Sequence, residues 1–102
     1  MDIEDWRKTI DAIDLELVKL LNERGTAARA IGRLKQQTNL PIYEPQREEI
    51  ILQNVGKANA GPLPTPDLHF IFQHIVAVMR SFQHSDTQSA DTDASGQPVR
   101  SL

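Results

Sequence analysis

The 102-residue chain contains no cysteine, which excludes disulfides and thiolate chemistry. Histidine is scarce. His69, His74 and His84 are the whole set, and none sits in a HExxH or similar pair, so no metal site is expected. Basic charge is also short: the formal net charge is −3 and the isoelectric point about 5.5, which argues against a nucleic-acid partner. No apolar run is long enough to span a membrane, and the acidic start Met1-Asp2-Ile3-Glu4-Asp5 has no apolar signal core. The expectation is a single domain of ordinary composition, 39% hydrophobic and 25% charged, working in the cytoplasm without a nucleic-acid or membrane partner.

The hydrophobic pattern is helical throughout. Ile3, Trp6, Ile10, Ile13, Leu17, Leu20, then Arg24, then Ala27, Ile31 and Leu34 follow alternating steps of three and four. No proline interrupts before Pro41, and Asp2 or Asp5 can cap the start. A first helix from about Asp5 to Thr38 would be about 50 Å long. Gly25 and Gly32 are weak points within it, each costing about 1 kcal/mol relative to alanine. Asn39 to Glu44 reads as a loop, and Pro45 suits the first turn of a second helix running to Ala58, with Ile50, Ile51 and Val55 on its apolar face. Asn59-Ala60-Gly61-Pro62-Leu63-Pro64 is a second loop. Thr65 is the candidate cap of a third helix, whose stripe is Leu68, Phe72, Ile75, Met79 and Phe82. Beyond Gln83 apolar residues almost vanish, so residues 1–83 are expected to form the helical domain and 84–102 a disordered tail.

A compact body of about eighty residues has a radius of gyration of about 12 Å. A helix of about 50 Å cannot bury its whole seam inside it. Either the first helix kinks near Gly25 into a four-helix monomer, or a second copy of the chain covers what is left. An all-α, three-helix protomer intertwined as a homodimer is the expected architecture.

Arg24 interrupts the apolar seam. A buried guanidinium needs an anionic partner or a wet pocket. Lys35 follows eleven residues later, three helical turns on, and projects from nearly the same face about 16 Å along the axis. Ala27, Ala28 and Ile31 lie between, and the alanines leave room for a small anion held by both cations. The bland alternative is pairing with internal carboxylates, or snorkelling to solvent. Arg7 lies about 25 Å from Arg24 along the helix and reaches the same place only from a partner chain. Arg47 faces either the pocket or the surface. Glu48 suits a solvated first turn, and Gln83 ends the apolar stripe of the third helix.

Arg7, Ile10-Asp11-Ala12-Ile13-Asp14 and Leu20-Leu21-Asn22-Glu23-Arg24 resemble the first helix of the all-helical, AroQ-type (type II) chorismate mutases. The resemblance continues through Ile31-Gly32-Arg33-Leu34-Lys35 and Leu40-Pro41-Ile42-Tyr43-Glu44-Pro45-Gln46-Arg47-Glu48-Glu49. It also takes in Asn59-Ala60-Gly61-Pro62-Leu63 and Ile71-Phe72-Gln73-His74-Ile75, and so spans about residues 3 to 83. It implies an interlocked dimer with two shared active sites, rearranging chorismate to prephenate in phenylalanine and tyrosine biosynthesis. By the same resemblance, Arg7 comes from the partner chain and Arg24 binds a substrate carboxylate. Lys35 reaches the other carboxylate and the ether oxygen, Glu48 takes the ring hydroxyl, and Gln83 donates a second hydrogen bond to the ether oxygen. Glu44 and Arg47 line the pocket. Met79 departs from the pattern: many members place a small hydroxyl residue there, so one contact to the ring carboxylate would be missing.

The implied reaction is a concerted rearrangement of a dianion, which needs no nucleophile, metal or cofactor. It is accelerated by holding the compact conformer and by donors aimed at the ether oxygen, where negative charge develops. Two other readings stay open: isochorismate pyruvate lyase activity on the same scaffold, and a non-catalytic helical dimerisation module in which Arg24 is a structural ion pair.

Overall fold

The computed structural model describes residues 1–87, with side chains to Gln83. Among these residues there are three α-helices and no strand: α1 (Ile3–Thr38), α2 (Pro45–Ala58) and α3 (Thr65–Thr87). α1 opens on a reciprocal capping box. The Asp2 carboxylate accepts from the Asp5 backbone N–H at 2.9 Å, and the Asp5 carboxylate accepts from the Asp2 N–H at 3.2 Å. α1 passes Gly25 and Gly32 without a break, so the kinked four-helix alternative does not form. It stops at Asn39, which takes the left-handed conformation (φ 58°, ψ 30°) that asparagine tolerates better than most residues.

α2 has the bounds expected from Pro45 and the breaker-rich loop after Ala58. Asn59 stitches that loop: its Nδ2 donates to the Leu63 carbonyl at 2.9 Å and to the Thr65 hydroxyl at 3.0 Å, and its Oδ1 accepts from the Gly61 N–H. Thr65 is the first residue of α3 rather than the cap before it. Its hydroxyl is engaged by Asn59, and the Pro64 carbonyl instead accepts the first-turn N–H groups of Asp67 and Leu68, both at 3.1 Å. α3 continues to Thr87, four residues past the boundary expected at Gln83; the rest of the expected tail lies outside the described residues.

α3 is the central element. It packs on α1 along one face and on α2 along another, while the backbones of α1 and α2 stay apart. α2 and α3 form an antiparallel hairpin, with Glu48 opposite Arg80 and Gly56 opposite His69. On α1 the buried line is Gly25, Ala28, Gly32 and Lys35, one residue out of phase with the expected seam of Arg24, Ala27, Ile31 and Leu34. Small side chains explain the difference: a Cβ at Gly32 would meet the Gln83 backbone at 3.3 Å, so α3 approaches α1 where side chains are missing. Ile50 of α2, expected to be inward, is largely exposed; Ile51, Leu52 and Val55 are half-buried.

Little of the apolar surface is covered within one chain. Among the described residues the buried hydrophobic side chains are Ala28, Val76 and Met79. Along the first half of α1, Trp6 is 56% exposed and Ile10 54%, with Ile3, Ile13, Leu17 and Leu20 similarly open. The radius of gyration is 16.7 Å, well above the roughly 12 Å of a compact body of this length. No helix among the described residues is long and apolar enough to cross a membrane.

Candidate active site

A cavity of about 320 Å³, a volume typical of small-molecule sites, opens where the three helices meet. Arg24, Ala27, Ala28, Ile31 and Lys35 of α1 form one wall. Arg47, Glu48 and Ile51 of α2 form the second, and Val76, Met79, Arg80 and Gln83 of α3 form the third. Ile42 and Glu44 come from the loop before α2. Six of the seven residues singled out in the sequence thus line one cavity. Arg7 does not: it lies on the exposed first turns of α1 and pairs with Glu4 at 2.8 Å.

Lys35 is the most enclosed charge, with 7% of the residue exposed. Each of its three ammonium donors has an oxygen to face. Nζ donates to the Ile42 carbonyl at 2.9 Å and to Gln83 Oε1 at 3.4 Å, and lies 3.5 Å from Glu44 Oε2. The local chain path makes this set. Asn39 turns the backbone, the Leu40 N–H returns to the Lys35 carbonyl at 2.9 Å, and the loop then passes over the ammonium. With Gln83 Oε1 turned to Lys35, its amide N–H₂ is left to donate elsewhere.

Arg24 differs from Lys35. Among the described residues it has no carboxylate partner, and neither has Arg47. Burial, and then the like charge of Arg47, hold the Arg24 guanidinium below its ordinary pKa. It remains a cation at neutral pH. Arg24 and Lys35 line the same cavity, but their states differ: Lys35 has Glu44 beside it, while Arg24 and Arg47 face the cavity unneutralised.

Arg80 was not anticipated. Its Nε lies 3.3 Å from Glu48 Oε2 without the angle of a hydrogen bond, and its Nη2 donates to Glu48 Oε1 at 3.5 Å. Its guanidinium stacks over the Tyr43 ring, 4.5 Å from the centroid. The signal was present in the spacing: Arg80 lies four residues after Val76 and three before Gln83, on the stripe that faces the cavity. Met79 lines the cavity and is buried, with its sulfur beside Gly25. No group of three His, Asp or Glu capable of holding a metal occurs among the described residues.

The cavity is lined by four cations and two carboxylates, a formal excess of two positive charges. Such a lining can hold a small dianion, with a lysine and an amide donor at its inner end.

Comparison with known proteins gives the same direction. Residues 6–84 match the family described as chorismate mutase type II. The chain is 36% identical over 86 residues to the bifunctional chorismate mutase/prephenate dehydratase of Aquifex aeolicus, covering 80% of this chain but only 24% of that protein. Its fold is similar to that of a chorismate mutase from Thermus thermophilus, with a TM-score of 0.79, 34% identity, and coverage of 80% of this chain and 93% of the other. It is also similar to a Helicobacter pylori chorismate mutase in complex with prephenate, with a TM-score of 0.78, 32% identity, and coverage of 84% and 93%. With a match over nearly all its described length, this chain belongs to the type II chorismate mutase family.

Proposed function

We propose that the chain rearranges chorismate to prephenate as a homodimer with shared active sites, and that Arg7 of each chain completes the partner's cavity. The observation that carries this reading is the pair of guanidiniums, Arg24 and Arg47, facing one cavity with no acid to neutralise them. A solitary cation pair of this kind lowers stability unless an anion joins it. Chorismate and prephenate each carry two carboxylates, and a relative of similar fold from Helicobacter pylori holds prephenate.

In this reading Arg24 takes one carboxylate and Arg47 joins Lys35 at the other, a planar guanidinium being suited to carboxylates by its fork of donors. The flexible ether is thereby folded into the conformer in which the reacting carbons meet. As the C–O bond breaks and the new C–C bond forms, negative charge grows on the ether oxygen. Lys35 Nζ, giving up one of its longer protein contacts, and the Gln83 amide N–H₂ donate to it and stabilise the transition state more than the ground state. Glu48 accepts from the ring hydroxyl and takes no proton. Glu44, beside Lys35, keeps the ammonium in place. The reaction needs no cofactor on this scheme.

The homodimer rests on what one chain leaves open. Trp6, Ile10, Ile13, Leu17 and Leu20 form an apolar stripe of α1 that no element among the described residues covers. A second copy placed on that stripe buries it, and brings a first helix with Arg7 beside the cavity. The cytoplasmic location expected from the sequence belongs to the same reading.

The test is incubation of the purified chain with chorismate and, separately, isochorismate, with chromatographic identification of the products, together with light scattering for mass. Prephenate from a dimer is expected. Release of pyruvate from isochorismate would favour the lyase reading, and inertness toward both would favour a non-catalytic module.

A further inference from the structure

Arg80 is the one cation of the cavity for which the mutase scheme supplies no task. It is also where three parts of the fold meet. Its guanidinium comes from α3, its ion pair is with Glu48 in the first turn of α2, and its flat face lies on Tyr43 of the loop between α1 and α2. Both Glu48 oxygens face it, at 3.3 and 3.5 Å. No other ion pair holds the Glu48 carboxylate among the described residues. A carboxylate has about four acceptor sites, so two contacts to Arg80 leave room for a hydroxyl donor from the cavity. The stack on Tyr43 restricts rotation of the guanidinium, and a planar fork of fixed orientation fixes the plane of the carboxylate it holds. Tyr43 lies between Ile42 and Glu44, the two loop residues beside the Lys35 ammonium.

We propose that Arg80 is a positioning residue, held flat by Tyr43, that aims the Glu48 carboxylate at the ring hydroxyl of the substrate. The inference rests on the mutase reading and adds to it a residue acting through another. Its signature is conditional. Arg80 matters only when Glu48 has a carboxylate and the substrate has a hydroxyl for it to accept. A cation binding a substrate carboxylate directly, or a pair that merely joins α2 to α3, would not show that dependence.

The experiment measures kcat and KM of the full chain for chorismate and for a chorismate analogue lacking the ring hydroxyl. The variants are Arg80→Ala, Arg80→Lys, Tyr43→Leu, Glu48→Gln and the double variant Glu48→Gln/Arg80→Ala. On chorismate, Arg80→Ala is expected to lower kcat/KM by about tenfold or more, as for loss of a charge-assisted hydrogen bond. Arg80→Lys should recover part of that loss, because a point charge keeps the pair without the fork. On the analogue, Arg80→Ala should lose far less than it loses on chorismate, and on chorismate the double variant should be no slower than Glu48→Gln alone. Equal losses on both substrates, or additive losses in the double variant, overturn the inference. Should Arg80→Ala fail to fold, Tyr43→Leu and Arg80→Lys carry the same comparison, since each keeps a charge opposite Glu48. An active wild type with an unaffected Arg80→Ala overturns the inference alone. A wild type inert on chorismate overturns the mutase reading and this inference with it.

Discussion

Lys35 Nζ and Gln83 Oε1 face each other at 3.4 Å across the contact of α1 with α3, at the inner end of the cavity. The pair joins a cation and an amide from opposite walls, and each keeps the other's orientation. Replacement of Lys35 by alanine is expected to lower kcat at least a hundredfold, the range typical of a lost oxyanion donor. Gln83→Leu should fall in the same range. Circular dichroism should show both variants helical, and steady-state kinetics on chorismate checks the loss.

Gly32 and Gly25 should behave oppositely although both are buried glycines of one helix. A Cβ at Gly32 would lie 3.2 Å from Gln83 Cβ and 3.3 Å from its carbonyl oxygen, so α3 must move away. Gly32→Ala is expected to lower kcat about tenfold through displacement of Gln83. At Gly25 the added Cβ would meet Phe82 at 3.7 Å and Met79 at 4.0 Å, ordinary contact distances. Gly25→Ala should therefore keep its activity within about twofold and gain up to about 1 kcal/mol in urea denaturation, from better helix propensity.

Arg24 sets function against stability. Its pKa is depressed by burial first and by Arg47 second, so the charged form is disfavoured in the folded chain. The sign follows: a cation whose folded pKa lies below its unfolded one destabilises the fold wherever it is charged in both states, and this cost is relieved only as pH rises through the folded pKa. Across the neutral range the cost is constant. Arg24→Met is expected to raise the thermal midpoint of the ligand-free protein by a few degrees, with no change between pH 6 and 8, while abolishing chorismate turnover. A lower midpoint would mean that Arg24 is a structural ion pair after all.

A site shared between two chains, as proposed, predicts complementation. Arg7 is exposed, and among the described residues it pairs only with Glu4. Dimers of Arg7→Ala alone, and of Arg24→Ala alone, should each be nearly inactive. Mixed after unfolding and refolding, they should recover about a quarter of wild-type activity, because half the dimers are mixed and each mixed dimer holds one intact site. Introducing a charge at Ile10 or Ile13 should instead give monomers without activity.

Much of the architecture was legible because its signals are local. Pro45 and the loop from Asn59 to Pro64 mark α2, and Asp2 with Asp5 marks the start of α1. The phase of α1's buried face was not legible. Apolar periodicity follows large side chains, and the closest packing in this chain is at Gly25, Ala28 and Gly32, where side chains are small or absent. The large residues Ile31 and Leu34 lie beside that line and stay open in one chain. Arg24, Lys35 and Gln83 stood out as polar interruptions of apolar stripes. Arg80 did not, because its partners Glu48 and Tyr43 lie more than thirty residues away and only the α2–α3 hairpin brings them together.

The central claim is that two unneutralised guanidiniums in one cavity hold a small dianion. Calorimetric titration of prephenate into wild type, Arg24→Ala and Arg47→Ala tests it most directly. One molecule per chain should bind to wild type, more weakly as salt rises, and each substitution should weaken binding at least tenfold. Prephenate binding to both variants as tightly as to wild type would contradict the account.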